Sequence, residues 1–298
     1  MTPDPARQPG INPLTGLPPL HDPLNRLDSD DRLARPIRLD GRVIWGEAPL
    51  YRAPDAASPV DTILHYGDAV QIDGRVADDA GGLWLIVVNL ADGYAGYLND
   101  RAVAPPTGPV THQHTALAGH LYARPHHGAP VASALPFGAR LSLTGNSQDG
   151  FLETAGRQWV FAEAVRPAHH TAPDHVALAE MFLGCPYRLG GRSGAGIDCS
   201  GLVQITLAAA GLAVHRDSDL QADSIGQPVD GPPRRGDLAF FPGHVGFMLD
   251  DTTMLHATAT YMTVRTEPLA HVTARVERDV AQKGLAMPAF SGFRRPFP

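Results

Sequence analysis

One stretch of this chain occurs twice, 71 positions apart and without a gap, and that repeat limits what it can fold into. LYRAPDAASPVDTILHYGDAV begins at Leu50 and LYARPHHGAPVASALPFGARL at Leu121. The offset superposes Leu50 on Leu121, Tyr51 on Tyr122, Pro54 on Pro125, Val60 on Val131, Leu64 on Leu135 and Gly67 on Gly138. Both copies continue into short apolar runs, LWLIVV at 83–88 and QWVF at 158–161. Short strands punctuated by Gly and Pro over about 60 residues predict a small β-barrel for each copy. The copies span 41–105 and 106–168. Ahead of them, residues 1–40 are rich in Pro and Asp with scattered Leu, and read as an extended arm.

PAHHTAPD at 167–174 reads as a linker, after which the pattern changes. DHVALAEMFLG carries apolar residues at helical spacing. The Gly-rich loop GGRSGAGIDCS then leads into CSGLVQITLAAAG, a second helix expected to stop at Gly211. From 236 onward the runs DLAFF, HVGFML, TMLHAT and YMTVRT read as strands, with a last one near SGFRRPF closing the sheet. Helices followed by antiparallel strands predict an α+β domain over 169–298.

Charge excludes several partner classes. Lys and Arg number 24 against 31 Asp and Glu, a net charge of −7, and no basic block occurs. Nucleic acid and anionic membrane surfaces, which recruit clustered cations, are therefore not expected as partners. No run approaches the roughly 20 apolar residues of a membrane span. MTPDPARQPGINPLTGLPPLHDP lacks the apolar core of a signal peptide, so a cytoplasmic protein is expected, with export left open for a longer N-terminus. The 14 His lie mostly in loops, among them His112, His114, His126, His127, His169 and His170. Neither HExxH nor paired-Cys spacing appears, so no metal or other cofactor is expected.

The two cysteines are too few for a disulfide framework. Cys185 follows an apolar run and precedes Pro186, and reads as a packing residue at a helix end. Cys199 is set differently. A thiol attacks as thiolate, and a helix N-terminus or a nearby imidazolium lowers its pKa from about 8.5. The Gly-rich loop, Asp198 at an N-cap position and the apolar helix behind them supply the first device. First-turn N–H groups there also suit a developing oxyanion. Those features alone equally suit a small buried residue opening a helix. Downstream, His244 in GHVGFMLD and His256 in MLHAT lie twelve apart, centred on Asp250. Strands turning at Asp250-Asp251 would set the two His opposite each other on one face, as a base and the group that orients it.

CPYRLGGRSGAGIDCSGLVQ, RRGDLAFFPGHVGFML and MLHA together resemble the motifs of the NlpC-type cysteine peptidases, a papain-like family acting on bacterial cell-wall peptides. The resemblance covers roughly 173–298. It implies Cys199 as nucleophile, His244 as general base and acid, His256 as third member, and Tyr187 lining the cleft near the oxyanion. The Leu-Tyr…Pro…Leu…Gly repeat resembles the bacterial SH3-like domains attached to cell-wall enzymes. The combination is similar to the γ-D-glutamyl-L-diamino acid endopeptidases, which cleave short murein peptides that begin with a free L-Ala.

That resemblance implies a substrate L-Ala-γ-D-Glu-diamino acid, with Asp198, Asp68 and Tyr94 receiving the free amine. Related enzymes carry Glu where Asp68 stands. In the second repeat copy Ala139 falls opposite Asp68, and the GYAGY segment finds no counterpart. Ser200 and Ser218 match family serines that hold the substrate backbone or the D-Glu carboxylate, and Arg192 and Arg216 are further candidates for pairing with substrate carboxylates. Two other readings stay open: an exported hydrolase acting on intact wall, and a papain-like acyltransferase or amidase.

Overall fold

The computed structural model describes residues 39–298; the arm read over 1–40 falls outside the described residues except for Leu39 and Asp40, which open the first strand. The chain divides into two compact units. Of the described residues, one holds 39–170 together with Leu189–Gly194; the other holds Thr171–Arg188 and Ala195–Pro298.

In the first unit, strands β1 (Leu39–Val43), β2 (Glu47–Tyr51), β3 (Val60–His65), β4 (Ala69–Ala77), β5 (Leu83–Asn89), β6 (Ala95–Asn99) and β7 (Val103–Ala104) form one sheet in the order β3-β2-β6-β5-β4-β1-β7. A second module follows with β8 (His112–His114), β9 (Ala118–Tyr122), β10 (Val131–Pro136), β11 (Arg140–Leu141), β12 (Leu143–Gln148), β13 (Phe151–Thr154), β14 (Trp159–Phe161) and β15 (Val165–Pro167). These strands make two sheets, β10-β9-β14-β13-β12 and β11-β8-β15. The repeat is therefore structural: β2 and β9, and β3 and β10, keep the offset of 71 at both ends. Gly67 and Gly138 both take left-handed φ, +82° and +80°, where a side chain would be strained.

Strand pairing corrects one alignment. Tyr51 pairs with Tyr97 on β6, and its equivalent Tyr122 pairs with Trp159 on β14. QWVF is thus the counterpart of β6 rather than of LWLIVV, and the segment after Tyr94 does have an equivalent in the second copy. The offset falls from 71 to 62 because the second copy is shorter throughout this stretch, with two residues rather than five between β12 and β13 and four residues in β13 where β5 has seven.

Leu189–Gly194, although late in sequence, packs with the first β module. The Ile63 N–H donates to the Gly190 carbonyl at 2.9 Å. Within this segment β16 (Arg192–Ser193) places Ser193 Oγ on the Glu47 carboxylate and Arg192 on Asp68.

The second unit is α+β. Helix α1 (His175–Glu180) is capped by Asp174, whose side chain accepts from the Val176 and Ala177 N–H groups, a device contributing about 1 kcal/mol. A short strand β17 (Gly196–Ile197) precedes α2 (Cys199–Ala209), which ends where Gly211 turns left-handed at φ +91°. After α3 (Ser218–Ser224) come β18 (Gln227–Pro228), β19 (Leu238–Phe241), β20 (His244–Met248), β21 (Thr253–Thr258), β22 (Thr263–Pro268), α4 (Leu269–Gln282) and β23 (Gly292–Arg295). The sheet order is β18-β23-β19-β20-β21-β22, with every pairing antiparallel. The last strand lies inside the sheet, beside β19. Buried Asp237 anchors it by accepting from Arg295 Nε and Nη2, both at 2.8 Å.

Helix α4 does not figure in the reading from sequence. Its Val272, Val276 and Val280 repeat every fourth residue and pack on Phe241, Met248 and Met254. That layer closes one face of the sheet.

Candidate active site

Cys199 is the first residue of α2. The Asp198 side chain caps the helix by accepting from the Gly201 N–H at 2.7 Å. N–H groups of Val245 and Ser200 donate to the Cys199 sulfur, so the residue following His244 meets the thiol. The thiol is buried, and burial pushes its pKa up to about 12, reinforced by the Asp198 charge and opposed by the two amides and Arg216. Helix N-terminal donors are thus present, as expected, but burial outweighs them and reverses the expected shift. Burial likewise holds His244 well below the ordinary imidazole value, with His256 and Arg275 adding to it and Glu267 opposing. The resting pair is therefore a thiol and a neutral imidazole.

That charge state has a measurable consequence. Iodoacetamide labelling of Cys199, followed by peptide mass spectrometry, is expected to be slow at pH 7 and to rise about tenfold per pH unit to at least pH 10. A rate already on its plateau at pH 7 would instead mean a preformed thiolate–imidazolium pair.

His244 is delivered by a tight turn. Phe241 pairs with His244 across Pro242-Gly243, where Pro pre-sets φ and Gly243 supplies a φ of +68°. The following hairpin differs in register from the expectation. Phe247 faces Leu255 and Met248 faces Met254, a pairing that sets His256 opposite Gly246 rather than opposite His244. Asp250 causes the shift: its Oδ1 accepts from Thr252 N–H, Thr252 Oγ1 and Thr253 N–H, so the turn is built beyond it. The two His remain on one face as diagonal neighbours, close enough for rings to meet. His244 Nε2 and His256 Nδ1 lie 2.7 Å apart. Gly246 leaves room for this, since a Cβ there would fall 2.8 Å from both the His256 Cβ and the Leu255 carbonyl.

Behind His256 the line continues. His256 Nε2 lies 3.0 Å from Glu267 Oε2, and Arg275 of α4 clasps the same carboxylate, at 3.2 Å to Oε1 and 3.0 Å to Oε2. Glu267 and Arg275 are absent from the sequence-derived set. The signals that could have found them are an acid in the strand TVRTEP and the four-residue Val spacing of α4.

The other candidates fall in distinct places. In the α+β unit, the Tyr187 hydroxyl is shifted upward by burial and then by the charges of Cys199 and Asp198. Arg216, buried at 3% exposure, grips Asp198 through Nη1 to Oδ1 at 2.8 Å and Nη2 to Oδ2 at 2.6 Å. Its Nη1 also donates to Ser200 Oγ at 2.9 Å. Ser218 opens α3, and Gln221 of that helix donates to the Ser200 carbonyl at 3.0 Å. In the β unit, Asp68 Oδ2 accepts from the His65 N–H at 2.9 Å and from Arg192 at 3.3 Å. Tyr94 is buried within the first module. Arg192 and Arg216, read from sequence as partners for substrate carboxylates, thus hold protein carboxylates. Among the described residues no cluster of three or more His, Cys, Asp or Glu is arranged to hold a metal ion, and no helix is long and apolar enough to cross a membrane.

Residues 184–279, which contain this constellation, match the NlpC/P60 family. A relative from Lysinibacillus sphaericus, dipeptidyl-peptidase 6, is 31% identical over 72% of this chain and 86% of its own. The chain belongs to the NlpC/P60 family. A γ-D-glutamyl-L-lysine dipeptidyl-peptidase from Bacillus subtilis is 38% identical, over only 30% of this chain and 33% of its own. Among solved structures, an NlpC/P60 family protein from Bacillus cereus superposes with a TM-score of 0.68 at 20% identity, covering 87% of this chain and all of that one, a likeness of fold. NlpC/P60 proteins are peptidases, and the papain-like mix of helices and strands in the α+β unit is their fold.

Proposed function

We propose that this NlpC/P60 protein is a cysteine endopeptidase that hydrolyses the γ-D-Glu–diamino acid bond of short murein peptides bearing a free N-terminal L-Ala, in peptide recycling. The observation that carries it is Cys199 at the N-terminus of α2 beside the amide of Val245, the residue that follows His244, with His244 and His256 2.7 Å apart. Relatives named γ-D-glutamyl-L-lysine dipeptidyl-peptidase support the bond class. The two repeated β modules are proposed to be SH3-like.

In this reading His244 takes the Cys199 proton as sulfur attacks the scissile carbonyl, then returns it to the leaving amine. With both reacting groups neutral beforehand, charge develops only in the transition state, where fixed donors act most strongly. Gly201 N–H is committed to Asp198 and Ser200 N–H to the sulfur. The Cys199 N–H and the Tyr187 hydroxyl are therefore the proposed oxyanion donors. Ser200 and Ser218 are assigned to the substrate backbone and D-Glu carboxylate. Selectivity for the free amine is assigned to Asp198, Asp68 and Tyr94. An unpaired amine-binding group costs affinity when the amine is blocked.

The test is turnover of L-Ala-γ-D-Glu-meso-diaminopimelate against its N-acetylated twin, read by mass spectrometry. Release of L-Ala-D-Glu from the free-amine peptide at least 100-fold faster is expected, about 3 kcal/mol of discrimination. Equal cleavage of both would remove the amine site and keep the peptidase. Cleavage of intact sacculi alone would favour a wall hydrolase.

A further inference from the structure

The chain of contacts behind His256 determines which nitrogen of His244 can accept a proton. A carboxylate held by a guanidinium can only accept hydrogen bonds, so the group His256 presents to Glu267 at 3.0 Å must be Nε2–H. A neutral imidazole carries one N–H, so His256 Nδ1 is then a bare acceptor. The atom 2.7 Å from it, His244 Nε2, must donate. His244 is left with its lone pair on Nδ1. We propose that Glu267, neutralised by Arg275, is a positioning residue that fixes the proton on Nε2 of both imidazoles and keeps His244 Nδ1 bare to receive the Cys199 proton. This inference rests on the assignment of His244 as base.

The surroundings are built to keep Glu267 paired. Glu267 is 5% exposed, and Arg275 meets both of its oxygens. Tyr261 stacks under the Arg265 guanidinium at 4.0 Å and lies 5.7 Å from that of Arg275. The charged groups acting on the His pair are Glu267 and Arg265 from β22 and Arg275 from α4, while Cys199 of α2 lies by the amide of Val245, the residue next to His244. Burial, then Arg275 and Arg265, lowers His256 to about 3, so it stays neutral.

Removing Arg275 strips the countercharge from Glu267 and a repelling cation from His256 together. His256 then takes a second proton and donates from both nitrogens. His244 Nε2 must become the acceptor, its proton moves to Nδ1, and no lone pair faces the thiol. The wild-type protein is expected to hold kcat/KM level to below pH 6.5. Arg275→Met is expected to raise the acid limb by about one unit, so that kcat/KM falls about tenfold relative to wild type at pH values below both limbs and matches wild type at pH 8. Arg275→Lys, which keeps the countercharge, is expected to follow wild type.

Tautomers read by 15N NMR of labelled His supply a measure independent of any substrate. Wild type should show Nε2–H on both rings, and Arg275→Met a His256 that becomes doubly protonated at a higher pH than in wild type. An equal loss of kcat/KM at every pH with unchanged tautomers would reduce Glu267 and Arg275 to packing and overturn the proposal. If no peptide is cleaved, the bond assignment fails while the tautomers still decide this one.

Discussion

Replacing Cys199 with alanine is expected to lower kcat by about 10⁴- to 10⁶-fold, the loss typical of removing a covalent nucleophile whose partners act as a unit. Folding should survive. Alanine keeps the helix start, and the two N–H groups that meet the sulfur, those of Val245 and Ser200, lose one weak acceptor. Leaving such donors unmatched costs about 1–3 kcal/mol each at most. Cys185→Ala is the matched control. Its backbone carbonyl accepts from Val264 N–H at 2.9 Å and Thr263 Oγ1 at 3.1 Å, contacts that do not involve the thiol. Activity should therefore be retained in that variant. More than 1% of wild-type kcat in the Cys199 variant, with folding intact, would mean the chemistry runs through another group.

The largest expected stability effect lies one residue earlier. Asp198→Ala removes the cap of α2, worth about 1 kcal/mol. It also leaves Arg216 without the carboxylate that engages both its terminal nitrogens, at 3% exposure. A buried charge deprived of its partner costs about 3–5 kcal/mol, a large part of a total near 5–15 kcal/mol. Denaturant unfolding should show that loss. The double variant Asp198→Ala with Arg216→Met should recover all but the cap, because replacing both charges with apolar groups leaves nothing stranded. A single-variant cost below about 1 kcal/mol, or a double variant no better than the single, would show that solvent reaches Arg216.

Both predictions concern residues legible in the sequence, and the reason is local. Asp198 as cap, Cys199 as first helical residue and Gly211 as the stop depend on side chains within one turn of the backbone they serve. Strands β19 to β21 fell within the runs read as strands, and β22 begins two residues into YMTVRT and runs two past it. Other features depended on distance. The hairpin was read as centred on Asp250, but the side chain of Asp250 caps a turn lying just past it, and the register moved with it. The His pair survived because a shift of two preserves the face. Arg192 and Arg216 looked available to a substrate in one dimension, yet each holds an aspartate 124 and 18 residues away in sequence.

The sequence by itself determined the repeat of 71 and both ends of α2, and put Cys199, His244 and His256 forward as a set, because each is written in short-range periodicity, turn chemistry or motif order. Only the tertiary structure decided the charge of the site and what stands behind it. Whether Cys199 rests as thiol or thiolate depends on how deeply helix and sheet bury it, and burial opposes the helix terminus that the motif advertises. Which nitrogen of His244 is bare depends on Glu267 and Arg275, brought to it by strand register and by α4, a helix whose place is set by packing.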